Sequence, residues 1–169
     1  EAGVFLKSMG DWIQDAVHTQ APRKTCLDFL GKRPWVSAYR KKYSVYLRFT
    51  RVCSDYVFER EANEVCFLMN TSKRSTVDPL FALLRQFASV VIAKRAYELA
   101  ETYGLPLGRV SVRNQSSRWG SCAESGNINL NWRLVLLPPE LHDHVLMHEL
   151  AHLKEMHQSK RVYQFLQTL

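Results

Sequence analysis

His148-Glu149-Leu150-Ala151-His152 is an H-E-x-x-H motif, and it lies in a segment whose pattern predicts a helix. Residues four apart on a helix share a face, so His148 and His152 can reach one metal ion together. Glu149 lies about 100° further round the axis, where it flanks the ion without ligating it. In a zinc centre of this kind the ion lowers the pKa of a bound water, and the carboxylate accepts its proton. The motif therefore predicts a zinc-dependent hydrolase.

The residues before and around the motif favour a buried helix. Pro138-Pro139-Glu140 is typical of a helix start, because proline suits the first helical position and a carboxylate suits the N-terminal end of the dipole. The apolar residues that follow lie on more faces of the predicted helix than they would in a surface helix, where they form one stripe. They are Leu141, Val145, Leu146, Met147, Leu150 and Leu153. The alternative to a metal site is a core helix with two hydrogen-bonded histidines and a glutamate in an ion pair.

The composition of the chain limits its class. At 169 residues it is most simply one domain, and no apolar run is long enough to span a bilayer. The four cysteines form no C-x-x-C pair, which fits a reducing compartment, and the expected location is the cytoplasm. The net charge of +7 permits a nucleic acid or another acidic partner without requiring one. Nothing in the sequence predicts the oligomeric state.

Hydrophobic periodicity predicts an α+β fold, with a small antiparallel or mixed sheet packed against helices. The predicted helices are residues 2–17, a long helix between Asp78-Pro79 and Gly104, the helix of the motif and a short C-terminal tail. The predicted strands are residues 43–52, 56–59, 65–69, 109–113, 118–122 and 127–131, the last two forming a hairpin. Residues 19–42 are expected to be irregular, since they are basic and interrupted by prolines.

The hairpin carries a second candidate for chemistry. Arg118 and Trp119 are expected on its first strand, where the arginine would steady an anionic group or the developing oxyanion. The alternative is that Arg118 pairs with a carboxylate and Trp119 is core. Asn127, Asn129 and Asn131 on the second strand would bind a substrate backbone or satisfy the hairpin's own turns.

The segment from Arg118 to Ser159 resembles the YgjP-like metal-dependent hydrolases, which are zincins related in their motif to the WLM and SprT-like metallopeptidases. The resemblance rests on R-W-G-S-C at 118–122, G-N-I-N-L-N at 126–131, W-R-L at 132–134, P-P-E at 138–140 and H-E-L-A-H-L-K at 148–154. It implies a zincin-like domain over residues 1–169, with a helix and variable strands in 1–76 and the metallopeptidase core in 77–169. Compared with the family, the chain is expected to be trimmed at both ends.

The resemblance departs at the third metal ligand. Where the family has a third histidine in an N-H-S triplet, this chain reads His157-Gln158-Ser159, so Gln158 takes that position. His157 is the first candidate ligand, provided that the helix ends near Met156 and the chain turns back. Glu155 is the second, since it projects within about 20° of His148, although it would also serve as a hydrogen-bond acceptor for a ligand imidazole. The remaining reading is that tight metal binding has been lost.

Three functions follow as hypotheses. The resemblance implies a zinc metallopeptidase that cleaves peptide or protein substrates, with Glu149 as the general base and Arg118 as a possible oxyanion partner. The same metal centre could attack a phosphoanhydride, which would make the chain a nucleotide pyrophosphatase. The third hypothesis is a non-catalytic module that binds nucleic acid or protein on a degenerate metalloenzyme scaffold.

Overall fold

Two small β-sheets pack against one long helix in the computed structural model, which describes residues 25–70 and 78–154. The helices are α1 (Cys26–Lys32), α2 (Pro79–Thr102) and α3 (Pro139–Ala151), with a 3₁₀ helix at Trp132–Leu136. The strands are β1 (Trp35–Ala38), β2 (Lys41–Thr50), β3 (Asp55–Glu59), β4 (Glu64–Asn70), β5 (Val110–Arg113), β6 (Gly120–Cys122) and β7 (Ile128–Asn131). The predicted α+β class is confirmed.

Both sheets are mixed. The first has the order β1-β2-β4-β3, in which β2 and β4 are parallel and the two outer pairs are antiparallel. The second has the order β5-β7-β6, in which β5 and β7 are parallel. β6 and β7 form the predicted antiparallel hairpin, with Gly120 opposite Leu130. β6 is therefore an edge strand, and α3 packs against it.

The long helix α2 begins and ends at the residues that the sequence indicates. The Asp78 side chain accepts a hydrogen bond from the Leu80 N–H at 2.9 Å, and Pro79 occupies the first helical position. Just past the C-terminal end, Gly104 adopts a φ of +58°, a left-handed conformation that glycine takes without a steric penalty. The helix that carries the H-E-x-x-H motif, α3, begins at Pro139 and is preceded by Pro138, as the sequence indicates.

A single hydrophobic core connects the two sheets through α2. Phe87 on this helix is fully buried and makes edge-to-face contacts with Tyr56, Phe58 and Phe67 of the first sheet. The same cluster of buried side chains extends to Leu130 on β7 and to Leu150 on α3. The helix that carries the motif is thus held by packing on most of its sides, as its apolar pattern predicts.

Two predictions about local structure were wrong. Residues 19–42 are not irregular where the structure describes them, since they include α1 and β1. Thr25 starts α1 with a reciprocal capping box to Asp28. Arg118 and Trp119 lie just before β6 rather than on it, although the Trp119 carbonyl still accepts a hydrogen bond from the Asn131 N–H. The predicted helix at 2–17 and the C-terminal tail lie outside the described residues.

Within the described ranges, no helix has both the length and the apolar character that a membrane span requires.

Candidate active site

The Nε2 atoms of the two motif histidines lie close together. His148 lies in the last turn of α3, and His152 follows the helix with backbone angles that remain helical. Their Nε2 atoms are 3.3 Å apart, and the two rings stand at 90°. Both side chains are half-buried. The i, i+4 spacing therefore places both nitrogens on one face, as predicted from the sequence.

This separation suits a zinc ion. Two imidazole nitrogens at ordinary zinc distances and a tetrahedral angle would be about 3.3 Å apart. A ligand imidazole must also be neutral, and burial lowers the pKa of His148, with the neighbouring His152 and His144 adding to the effect. The two donors present thus fit zinc in chemistry and in spacing.

Glu149 occupies a space that a glycine leaves open. Its side chain is only 7% exposed and lies against the backbone of Gly120 at the start of β6. A Cβ atom at position 120 would lie 2.5 Å from the Glu149 Cγ and 2.6 Å from its Oε1. Burial raises the pKa of Glu149 to about 7, and the positive charge of Arg118 opposes that rise. The carboxyl is therefore held between α3 and the edge strand β6.

Arg118 and Cys122 flank this carboxyl from the hairpin. Arg118 is exposed, and its guanidinium acts on Glu149 through its charge. Cys122 is partly buried, and burial together with the charge of Glu149 raises the pKa of its thiol. A raised thiol pKa favours the unreactive protonated form, so Cys122 is more suited to packing than to nucleophilic attack.

Comparison with protein families gives one match over nearly the whole chain. The YgjP-like, metallopeptidase domain model matches residues 2–169. The chain belongs to the YgjP-like metallopeptidase family. Neither the comparison with curated proteins nor the one with solved structures gave a match.

The three asparagines of the YgjP-like hairpin bond within the protein. Asn127 accepts from the Arg109 N–H, and Asn129 accepts from the Arg113 Nε. Asn131 donates to the carbonyls of Gln115 and Arg118, at 2.9 and 3.1 Å. The structure therefore favours the internal role over substrate binding. Asn131 fixes the loop that carries Arg118, a positioning role that the sequence pattern did not reveal.

Two further histidines of α3 differ in their surroundings. His144 lies one turn before His148, is half-buried, and its charge acts on His148. His142 is 1% exposed and faces away from the motif into the core. Burial lowers its pKa to about 4, so His142 is neutral at physiological pH.

The candidate third ligands of the YgjP-like domain, His157 and Glu155, and the substituted Gln158 lie outside the described residues. Over residues 25–70 and 78–154, no group of three or more His, Cys, Asp or Glu side chains could hold a metal ion. His148 and His152 therefore form the described part of the predicted site, and the third ligand stays a prediction.

Proposed function

We propose that this chain is a zinc-dependent metallopeptidase in which His148 and His152 hold the ion and Glu149 is the general base. The observation that carries this proposal is the convergence of two imidazole nitrogens, 3.3 Å apart, beside a buried carboxylate. Membership in a metallopeptidase family supports a hydrolytic role for that arrangement.

When bound, zinc would lower the pKa of water and polarise the scissile carbonyl. Glu149 would accept a proton from the attacking water and deliver it to the leaving nitrogen. Its carboxyl is confined between α3 and Gly120, so it has little freedom to turn away from this task.

The edge strand β6 supports a peptide as the substrate. An extended peptide can add to a sheet edge through main-chain hydrogen bonds, and β6 is the edge that packs on the motif helix. Arg118 lies at the start of this edge and is exposed, so it would steady a substrate carboxylate or the developing oxyanion. The four free thiols support a reducing location such as the cytoplasm.

We propose that the third ligand comes from the segment after Lys154, with His157 as the first candidate and Glu155 as the second. Two histidines alone hold zinc weakly, and catalytic zinc sites have three protein ligands.

Metal analysis tests the ligand set. The purified protein is expected to contain about one zinc per chain, and His152→Ala is expected to lose it. His157→Ala and Glu155→Ala identify the third ligand by which of them also loses zinc. His144→Ala is the matched control, since it removes a histidine one turn away on the same helix. A wild-type protein without zinc after reconstitution would contradict the proposal and favour a binding module.

Activity on a mixed peptide library tests the role of Glu149. Glu149→Gln is expected to keep zinc and to lose cleavage by a factor of about 100 or more, since the amide cannot accept the proton. Glu140→Gln, an exposed change on the same helix, is the control. If the zinc protein cleaves nucleotides and no peptide, the pyrophosphatase hypothesis replaces this one.

A further inference from the structure

A second site candidate lies on the opposite side of the second sheet from the motif. An open groove of about 600 Å³ runs between α2 and the edge strand β5. Its lining consists of Arg85, Ser111, Val112, Arg113, Asn114 and Gln115. Five of these six side chains are polar, and two are arginines, which indicates an anionic ligand.

In the part of the chain that the structure describes, the two arginines of the groove have no acidic partner. Arg85 is exposed on α2 with its guanidinium 5.6 Å from the centre of the Phe81 ring. Arg113 donates its Nε to Asn129, and no described residue accepts a hydrogen bond from its terminal amino groups. No carboxylate in the described part of the chain lies within ion-pair distance of either arginine. Among the described residues, no ion pair offsets their charge.

A third arginine braces the floor of the groove. Arg133 donates to the Asn114 side chain at 2.8 Å and to the Gln115 carbonyl at 3.3 Å. Trp132 donates to the same Asn114 oxygen at 2.9 Å. The Gln115 side-chain oxygen is buried and has no hydrogen-bond partner among the described residues. The hydrogen bonds from Arg133 and Trp132 hold the floor of the groove in place.

The free edge of β5 adds a backbone donor. The Val110 N–H points away from β7 and donates to the Tyr97 hydroxyl at 3.3 Å. Backbone groups two residues apart on a strand point the same way, so the Val112 N–H faces the groove. This N–H adds a backbone donor to a groove that two arginines line, and such donors bind oxyanions.

We propose that this groove binds a phosphate group of a small ligand, such as inorganic phosphate or a phosphate monoester. The planar guanidinium group of arginine can donate two parallel hydrogen bonds to phosphate oxygens. Two arginines also suit a doubly charged phosphate better than a singly charged carboxylate ligand. The volume of the groove, about 600 Å³, suits a small ligand. β5 and β6 are opposite edges of the sheet, about 10 Å apart, so this site is separate from the motif.

Titration calorimetry with inorganic phosphate tests the proposal. Binding is expected in the wild type and at least tenfold weaker in Arg85→Gln and in Arg113→Gln. Arg85→Lys should weaken phosphate binding less than Arg85→Gln does, since lysine keeps the positive charge but lacks the planar guanidinium group. Arg48→Gln removes the same charge from an exposed position on the first sheet and should bind as the wild type does.

Two further arms separate the sources of phosphate. The double variant His148→Ala, His152→Ala should bind phosphate unchanged, which would exclude the motif as the binding site. A single-stranded oligonucleotide should bind no more tightly than inorganic phosphate. Equal binding by wild type and both glutamine variants, or equal loss in Arg48→Gln, would overturn the site. Much tighter oligonucleotide binding that needs Arg85 and Arg113 would overturn the small-ligand assignment.

Discussion

At the scale of single residues, the position of Glu149 depends on an absent side chain at Gly120. A Cβ atom there would lie 2.5–2.6 Å from three atoms of the Glu149 side chain, which is closer than non-bonded atoms approach. Gly120→Ala is therefore expected to displace the carboxylate and to lower the free energy of unfolding by about 1–3 kcal/mol. Chemical denaturation measures the stability, and the peptide-library assay should show a parallel loss of cleavage.

A double-mutant cycle makes this expectation specific. In a Glu149→Ala background the new methyl group has room, so Gly120→Ala should cost less than it does in the wild type. Ser121→Ala serves as the control, because its side chain points to the opposite face of the same strand. An equal cost of Gly120→Ala in both backgrounds would mean that the glycine is needed for its backbone and not for Glu149.

His142 gives a second prediction at this scale. Its pKa is about 4 in the folded protein against an ordinary value of 6.5, because burial outweighs the nearby Asp143. Arg95, paired with Asp143 at 2.7 Å, adds to the lowering, and the backbone of Ser37 and Leu134 opposes it only in part. Between these two pKa values, His142 is therefore protonated in the unfolded chain and neutral in the folded protein.

The sign of the effect follows from linkage. Both states are neutral at His142 well above pH 6.5, so it contributes no pH dependence there. Between pH 6.5 and 4 the unfolded state gains the proton first, so stability falls with falling pH, by about 2 kcal/mol from pH 7.5 to 5. The free energy of unfolding, measured by denaturation at several pH values, should fall more steeply with falling pH in the wild type than in His142→Leu. The other titrating groups contribute equally to both proteins. Parallel pH profiles would show that the pKa of His142 in the folded protein is the same as in the unfolded chain.

At the scale of elements, local signals explain which parts the sequence predicted. The start of α2 follows from Asp78 and Pro79, and its end from Gly104, because caps act through neighbours in the chain. The alternating strands β2, β3 and β4 were predicted within about two residues at each end, since one face of each contacts the core.

The first hairpin was missed because its turn carries no turn signal. Tyr39 and Arg40 both have positive φ values, 48° and 60°, in the two-residue loop between β1 and β2. Asn-Gly is the usual sequence for such a turn, and large side chains are disfavoured there. Tertiary contacts compensate: the Arg60 guanidinium lies 4.0 Å from the Tyr39 ring centre, and β1 is buried against the 3₁₀ helix.

The candidate site divides in the same way. His148, Glu149 and His152 are close because they share one helix, so spacing alone predicts their grouping. Gly120 and Asn131 come to the site through the sheet, from 29 and 18 residues before Glu149 in the sequence. Periodicity carries no information on which strand meets which helix, so these two roles had to come from the fold.

At the scale of the whole molecule, the question is whether the first sheet and the motif region form one unit. The sequence predicts one domain, and this stays a prediction. In the described residues, the hydrophobic core passes from the first sheet through α2 to α3. Phe87 links the two parts. Its ring is fully buried against Tyr56, Phe58 and Phe67 of the first sheet, and its helix also packs on β5 of the second sheet. A cavity there should weaken both sheets if they unfold together.

Phe87→Ala is expected to lower the free energy of unfolding by about 3–5 kcal/mol. Hydrogen exchange under native conditions measures the free energy of opening for each amide. Amides of β4 and β7 that exchange only through global unfolding should show the same decrease in this free energy. Val90→Ala, an exposed change on the same helix, should alter neither. If β4 loses protection and β7 keeps it, the first sheet unfolds separately and the motif region is an independent domain. Equal loss makes the sheet part of the fold that holds Glu149, because β1 is buried against the same 3₁₀ helix that precedes α3.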